Sequence, residues 1–178
     1  PDWFRSVDVF DFFKSADFSE LCGAYKKVVF YGSSMGGYAA LAFSSAVKGS
    51  HVVAYCPQST LNKDVVSFDR RYPAGVDQDW NGDFSDVRDC IGSQEKVYVV
   101  YDPFCAEDAL HVKRLNKEAM TLIKAPFMGH DICTGTARLG LLKDTFYHAL
   151  DGDLKAWFPK AIRERKTDNE YLSNANFF

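Results

Sequence analysis

The residues that could do chemistry begin with a serine enclosed by glycines. Residues 32–36 read Gly-Ser-Ser-Met-Gly, a G-x-S-x-G match centred on Ser34. An apolar run at 27–31 precedes the match, and small and apolar side chains follow it. A serine in a sharp strand-to-helix turn has an exposed hydroxyl, and glycines two positions away on each side keep other side chains clear of it. The pattern predicts Ser34 as a nucleophile and the Met35 N–H, at a helix N-terminus, as a donor to an oxyanion.

Two other interpretations of residues 32–36 compete with a nucleophile. A glycine-rich turn between a strand and a helix can be structural, with no chemistry. A phosphate-binding loop is disfavoured, because the glycines do not follow G-x-G-x-x-G and no lysine follows as it does in a P-loop.

The elements that would position Ser34 alternate between strand and helix. Apolar runs predict strands at 27–31, 51–55, 96–101 and 120–125. Helices are predicted at about 4–25, 35–47, 84–91, 108–116, 139–150 and 154–165. The alternation predicts one α/β domain over 1–178, in which a parallel sheet carries helices on both faces and has its active site beyond the carboxyl ends of the strands.

The segment 31–41, YGSSMGGYAAL, resembles the nucleophile elbow of the α/β-hydrolase superfamily, with Ser34 at the nucleophile position. The likeness spans about residues 27–150. A narrower likeness, carried by PQS, YDP and GH, is to small bacterial hydrolase-like proteins, some of them linked to surface polysaccharide pathways. The resemblance implies an α/β-hydrolase-like fold in which residues 57–95 form a lid or cap insertion.

In this superfamily three or four strands precede the nucleophile strand, and a loop after one of them supplies the second oxyanion donor. Only residues 1–26 precede that strand here, and their pattern is helical. The resemblance therefore implies that the N-terminal strands are missing and that the native protein is longer. Since only the four later strands are visible, it also implies that they lie in sequential order, with 27–31 at one edge of the sheet.

A serine nucleophile requires a base, and His130 is the best candidate. It directly follows the fourth predicted strand and a glycine, where the superfamily carries its histidine. The other histidines fit less well, because His51 opens a strand at the opposite end of the sheet and His111 and His148 lie within predicted helices.

The histidine in turn requires a carboxylate that fixes its tautomer. The exit of the third strand offers Asp102, Glu107 and Asp108. The superfamily places this acid a few residues past the strand, just before a helix, which favours Asp108 over the alternative acid, Asp102. Asp108 could instead only cap the helix. The chain order Ser34, Asp108, His130 is the order that the superfamily uses.

These residues together predict a serine hydrolase that cleaves an ester, thioester or amide through an acyl-enzyme. An acyltransferase that uses the same three residues is one alternative, and a non-catalytic binding or accessory module is another. Neither a metal nor an organic cofactor is implied, and the expected partner is a small acyl substrate. Four aromatic residues in 57–95 could wall an acyl pocket and two arginines could meet an anionic group, although ordinary packing explains them equally well; they are Phe68, Tyr72, Trp80, Phe84, Arg70 and Arg71.

Composition excludes several other classes of protein. A net charge of −3 provides no basic surface for nucleic acid, and no apolar run approaches the ~18 residues of a membrane span. The five cysteines lack metal-ligand spacing, which predicts reduced thiols in a cytoplasmic protein. Because the chain begins with Pro1, secretion stays open as an alternative.

Overall fold

A parallel sheet of four strands forms the centre of the fold. The computed structural model describes residues 2–115 and 118–176. The strands are β1 (Val29–Ser33), β2 (His51–Tyr55), β3 (Lys96–Tyr101) and β4 (Thr121–Lys124). They are hydrogen-bonded in the order β1-β2-β3-β4, and all three pairings are parallel. The predicted strand order and the edge position of the first strand are therefore confirmed.

Helices surround this sheet. They are α1 (Val7–Lys14), α2 (Ala16–Gly23), α3 (Met35–Phe43), α4 (Pro73–Val76), α5 (Ala106–Arg114), α6 (Ile132–Arg138), α7 (Leu142–Asp151), α8 (Leu154–Ala161) and α9 (Asn169–Ala175). Short 3₁₀ helices occupy Ser44–Ala46, Val87–Asp89 and Ile162–Thr167. The chain thus has the predicted α/β class. None of the described helices is both long and apolar enough to cross a bilayer.

Alternate residues of the strands belong to two hydrophobic cores, one on each face of the sheet. In β2, Val52 and Ala54 pack with α3, while Val53 and Tyr55 pack on the side of α7 and α8. A strand covered on both faces must be apolar throughout, which explains the unbroken apolar runs in the sequence. Every residue of β2 is buried, whereas those of the edge strand β1 are only partly buried.

Several predicted boundaries differ from the observed ones. The N-terminal helical region is two helices, because Ser15 has an extended backbone, and its hydroxyl donates to Phe12 O and accepts from the Phe18 N–H. The segment 84–91 is only a 3₁₀ turn, and α4 and α6 were not predicted because one or two turns carry little periodicity. Helix α5 begins earlier than predicted, so that Asp108 lies in its first turn, and Asn116 lies outside the described residues.

Candidate active site

Ser34 occupies a strained turn between β1 and α3. Its backbone has φ 53° and ψ −119°, a conformation that non-glycine residues rarely adopt. Two backbone bonds fix this conformation: the Ser34 N–H donates to Tyr55 O at 2.8 Å, and the Tyr38 N–H donates to Ser34 O at 2.9 Å. Met35 is the first residue of α3, where the N–H has no intrahelical partner.

The three glycines around this turn differ in how necessary they are. A Cβ at Gly32 would lie 2.1 Å from Gly36 O, so that no side chain fits there. A Cβ at Gly36 would meet nothing within 4 Å, so the expectation that both glycines prevent collisions is correct only for Gly32. The second close approach is at Gly37, where a Cβ would lie 3.0 Å from Tyr55 O and 3.2 Å from the Cβ of Pro57.

Three side chains that the sequence analysis selected form one chain of hydrogen bonds. His130 Nε2 lies 2.9 Å from Ser34 Oγ, although the two residues are 96 positions apart. His130 Nδ1 lies 2.8 Å from Asp108 Oδ2 and 3.0 Å from Asp108 Oδ1. Because a carboxylate only accepts, Nδ1 carries the proton and Nε2 presents its lone pair to the serine hydroxyl.

Asp108 is fully buried and has a second partner, which is a cation. The Arg71 guanidinium donates to Asp108 Oδ1 at 2.9 Å, while His130 binds the same carboxylate. Burial by itself opposes ionisation of Asp108, but the hydrogen bond from His130 and the charge of Arg71 outweigh it and hold the pKa of Asp108 below its usual value. The carboxylate therefore stays ionised at neutral pH.

Asp102, the alternative acid, has a different set of partners. Its Oδ1 accepts from the Phe104 N–H at 2.9 Å, and its Oδ2 accepts from the Gly129 N–H at 2.7 Å. Gly129 has a φ of 66°, which suits glycine, and it directly precedes His130. Asp102 thus fixes the loop that carries the histidine, and the carboxylate on His130 Nδ1 belongs to Asp108 and not to Asp102 or Glu107.

A buried polar network holds Arg71 in place. Asp69 Oδ1 and Oδ2 accept from the Arg71 guanidinium at 2.9 and 2.7 Å. Asp69 also accepts from His111 Nε2 at 3.0 Å, and His111 Nδ1 accepts from the Ser59 N–H at 3.1 Å. That backbone donor fixes the tautomer of His111 with its proton on Nε2. The carboxylates of Asp69 and Asp108 together neutralise the charge of Arg71, so it is not the free cation that an anionic substrate group would need.

Serine, histidine and aspartate also meet inside this network, at Ser59, His111 and Asp69. Ser59 Oγ lies 2.9 Å from His111 Nδ1, but all three side chains are buried and no substrate could reach them. The other two histidines are also structural. His51 bonds to Ala149 O through Nδ1, and His148 bonds to Asp153 and stacks on Trp157.

Tyr72 contacts the same histidine nitrogen as the serine. Its hydroxyl lies 2.9 Å from His130 Nε2, and its ring packs 5.1 Å from the ring of Trp3 between centroids. Burial raises the pKa of Tyr72 above its usual value, and a hydrogen bond with Ser34 opposes that shift only in part. Tyr72 therefore carries its proton at neutral pH.

The arrangement also brings together three groups that could ligate a metal ion. The nearest ligand atoms of Cys56, Asp108 and His130 lie within 4.8 Å of one another. Burial, together with the charge of Asp108, raises the pKa of the Cys56 thiol well above its usual value. Asp108 and His130 are already bonded to each other, so this cluster belongs to the hydrogen-bonded chain just described.

The sequence predicted only that Tyr72 could wall an acyl pocket and that Arg71 could meet an anionic group. The structure brings both against His130, which is 58 positions from Tyr72. The only local signal was the position of 57–95 after the end of β2, at the edge of the sheet where the other site residues also emerge.

No protein-family model matches the chain, and neither does a curated protein or a solved structure. The geometry of the site is therefore the basis for its chemistry.

Proposed function

We propose that this protein is a serine hydrolase of the α/β-hydrolase type that cleaves an ester, thioester or amide through an acyl-enzyme. The observation that carries the proposal is the contact of Ser34 Oγ with His130 Nε2 at 2.9 Å, with Nδ1 of the same ring bound to Asp108 at 2.8 Å. A nucleophile, a base and a carboxylate that orients the base are the parts that acyl transfer requires.

In the proposed reaction Ser34 Oγ attacks the carbonyl carbon of the substrate while its proton passes to His130 Nε2. The electron pair of the carbonyl π bond moves to the oxygen, which the Met35 N–H stabilises. Collapse of this intermediate expels the leaving group with the proton from Nε2, and water then hydrolyses the acyl-enzyme by the same steps. Asp108 stays ionised and stabilises the imidazolium.

The backbone of the turn supports the same function. Ser34 keeps φ 53° at a cost of order 1–3 kcal/mol, which the surrounding hydrogen bonds sustain. A structural turn would avoid this cost with glycine at that position, whereas a nucleophile needs the serine side chain there. The strain therefore favours the catalytic function over a structural glycine-rich turn.

Labelling with a fluorophosphonate probe tests the proposal. The probe should phosphonylate Ser34 Oγ with loss of fluoride, and Ser34→Ala and His130→Ala should abolish labelling. Ser33→Ala is the matched control, since it removes the neighbouring hydroxyl of the same motif and should retain labelling. Equal labelling in all variants, or no labelling of wild-type protein that shows cooperative thermal unfolding, would contradict the proposed function.

A further inference from the structure

The Tyr72 hydroxyl shares an acceptor with the proposed nucleophile. His130 Nδ1 is committed to Asp108, so Nε2 has one lone pair in the plane of the ring. Ser34 Oγ and Tyr72 Oη both lie 2.9 Å from that nitrogen. Two hydroxyl groups therefore share one acceptor, and the tyrosine hydroxyl, which also bonds to Ser34, lies beside the atom that would attack a substrate.

Tyr72 is held at this position by two side chains that pack against its ring. The Trp3 ring lies 5.1 Å away between centroids, and the guanidinium carbon of Arg71 lies 5.2 Å from the ring centroid. The Tyr72 carbonyl accepts from the Gly75 and Val76 N–H groups at the start of α4, which fixes the backbone. The hydroxyl is thus preorganised, as an electrostatic contribution to catalysis requires.

Proton transfer changes what the hydroxyl of Tyr72 can bind. Once Nε2 has taken the proton of Ser34 it is a donor and can no longer accept from Tyr72. The substrate oxygen gains its negative charge in the same step. The O–H group of Tyr72 therefore loses Nε2 as an acceptor in the same step in which the substrate oxygen becomes a strong acceptor.

Acyl-transfer sites usually offer an oxyanion two donors, one of which is the N–H of the residue after the nucleophile. Met35 provides that N–H here. Among the described side chains, the Tyr72 hydroxyl is the other hydrogen-bond donor that contacts His130 Nε2, the nitrogen that Ser34 Oγ contacts. We infer that Tyr72 is a catalytic residue whose O–H turns from His130 Nε2 to the substrate oxygen and completes the oxyanion hole with the Met35 N–H.

This inference rests on the proposed hydrolase function and adds a residue to it. Tyr72 keeps its proton throughout: Ser34 Oγ bonds to the carbonyl carbon, the proton of Ser34 moves to Nε2, and the oxyanion accepts hydrogen bonds from Tyr72 and Met35. When the leaving group departs, the carbonyl reforms and the tyrosine can return to Nε2.

Tyr72→Phe tests the inference, because it removes only the hydroxyl. The inactivation rate constant of a fluorophosphonate probe should fall about 10²–10³-fold, the loss typical of one oxyanion donor, with little change in the noncovalent affinity for the probe. A trifluoromethyl ketone, which forms an oxyanion on the serine, should lose affinity by a similar factor in competition with the probe. Tyr31→Phe is the matched control. The Tyr31 hydroxyl lies 3.0 Å from the Tyr55 hydroxyl and contacts none of the site atoms named above, so this variant should react like wild type.

Replacement of Tyr72 by 4-aminophenylalanine keeps the ring and a donor, and it should restore much of the labelling rate. A Tyr72→Phe variant that reacts at the wild-type rate would overturn the inference. A faster reaction would also overturn it and would show that the hydroxyl only blocks Nε2. Wild-type protein that never reacts would remove the proposed hydrolase function itself, whereas the other two results leave that function standing.

Discussion

Two buried aspartates, six positions apart, should respond in opposite ways to the same substitution to asparagine. Asp108 binds the ring of His130, and Asp102 binds two backbone N–H groups. In Asp108→Asn the amide can still accept from Arg71 through its oxygen, but its NH₂ then faces His130 Nδ1. That contact favours the tautomer with the proton on Nε2, which has no lone pair for Ser34.

The expected loss for Asp108→Asn is above all a loss of rate. Loss of the correct tautomer lowers kcat by about 10⁴-fold in serine triads. At 1.36 kcal/mol for each factor of ten, this corresponds to about 5 kcal/mol in the barrier. The rate of fluorophosphonate labelling should fall by several orders of magnitude, while thermal unfolding stays cooperative with a lower Tm because the buried ion pair with Arg71 is lost.

Asp102→Asn should do the reverse. One of its two N–H partners, Phe104 or Gly129, loses its acceptor, at a cost of about 2 kcal/mol. For a chain of this size that is a decrease in Tm of ~4–8 °C. Labelling should stay within about ten-fold of wild type, since Ser34, His130 and Asp108 all remain.

Both variants are measured by labelling kinetics and by thermal unfolding followed by circular dichroism. The reasoning is refuted if Asp102→Asn loses as much labelling rate as Asp108→Asn at unchanged Tm. It is equally refuted if Asp108→Asn labels like wild type, because His130 would then need no carboxylate.

Two further predictions concern the turn and the buried network. Gly32→Ala should abolish folding or labelling, because its Cβ would lie 2.1 Å from a backbone oxygen. Gly36→Ala should retain both, because a Cβ there has open space. Soluble yield and labelling measure the difference, and equal behaviour of the two variants would contradict the prediction. Hydrogen bonds from His111 and Arg71 outweigh burial and hold the pKa of Asp69 below its ordinary value of 3.8, so its stabilising contribution is complete above that pH and is lost as the pH falls through the folded-state pKa. Urea titrations should therefore show a free energy of unfolding that declines below about pH 4 in wild type and less steeply in Asp69→Asn, and parallel pH dependences would contradict the assignment.

The sequence by itself determined the strands, the candidate nucleophile and the candidate base, whereas the strand order followed from the resemblance. The strands and the nucleophile depend on local patterns: unbroken apolar runs mark strands covered on both faces, and the glycines around Ser34 mark a strand-to-helix turn, in which Gly32 and Gly37 lack room for a side chain. His130 was also accessible to this reasoning, because parallel strands place the residues that follow them at one edge of the sheet.

Only the tertiary structure decided which carboxylate meets His130 and what else surrounds it. Asp102 and Asp108 both follow β3, and local sequence does not encode that the first turn of α5 directs Asp108 to Nδ1 while Asp102 turns to Gly129. The contacts of Arg71 and Tyr72 with the site also join residues far apart in the chain, on a segment with almost no regular structure. Periodicity predicts elements, but the direction of a loop side chain depends on what packs against it, and here that is Trp3 and the buried carboxylates.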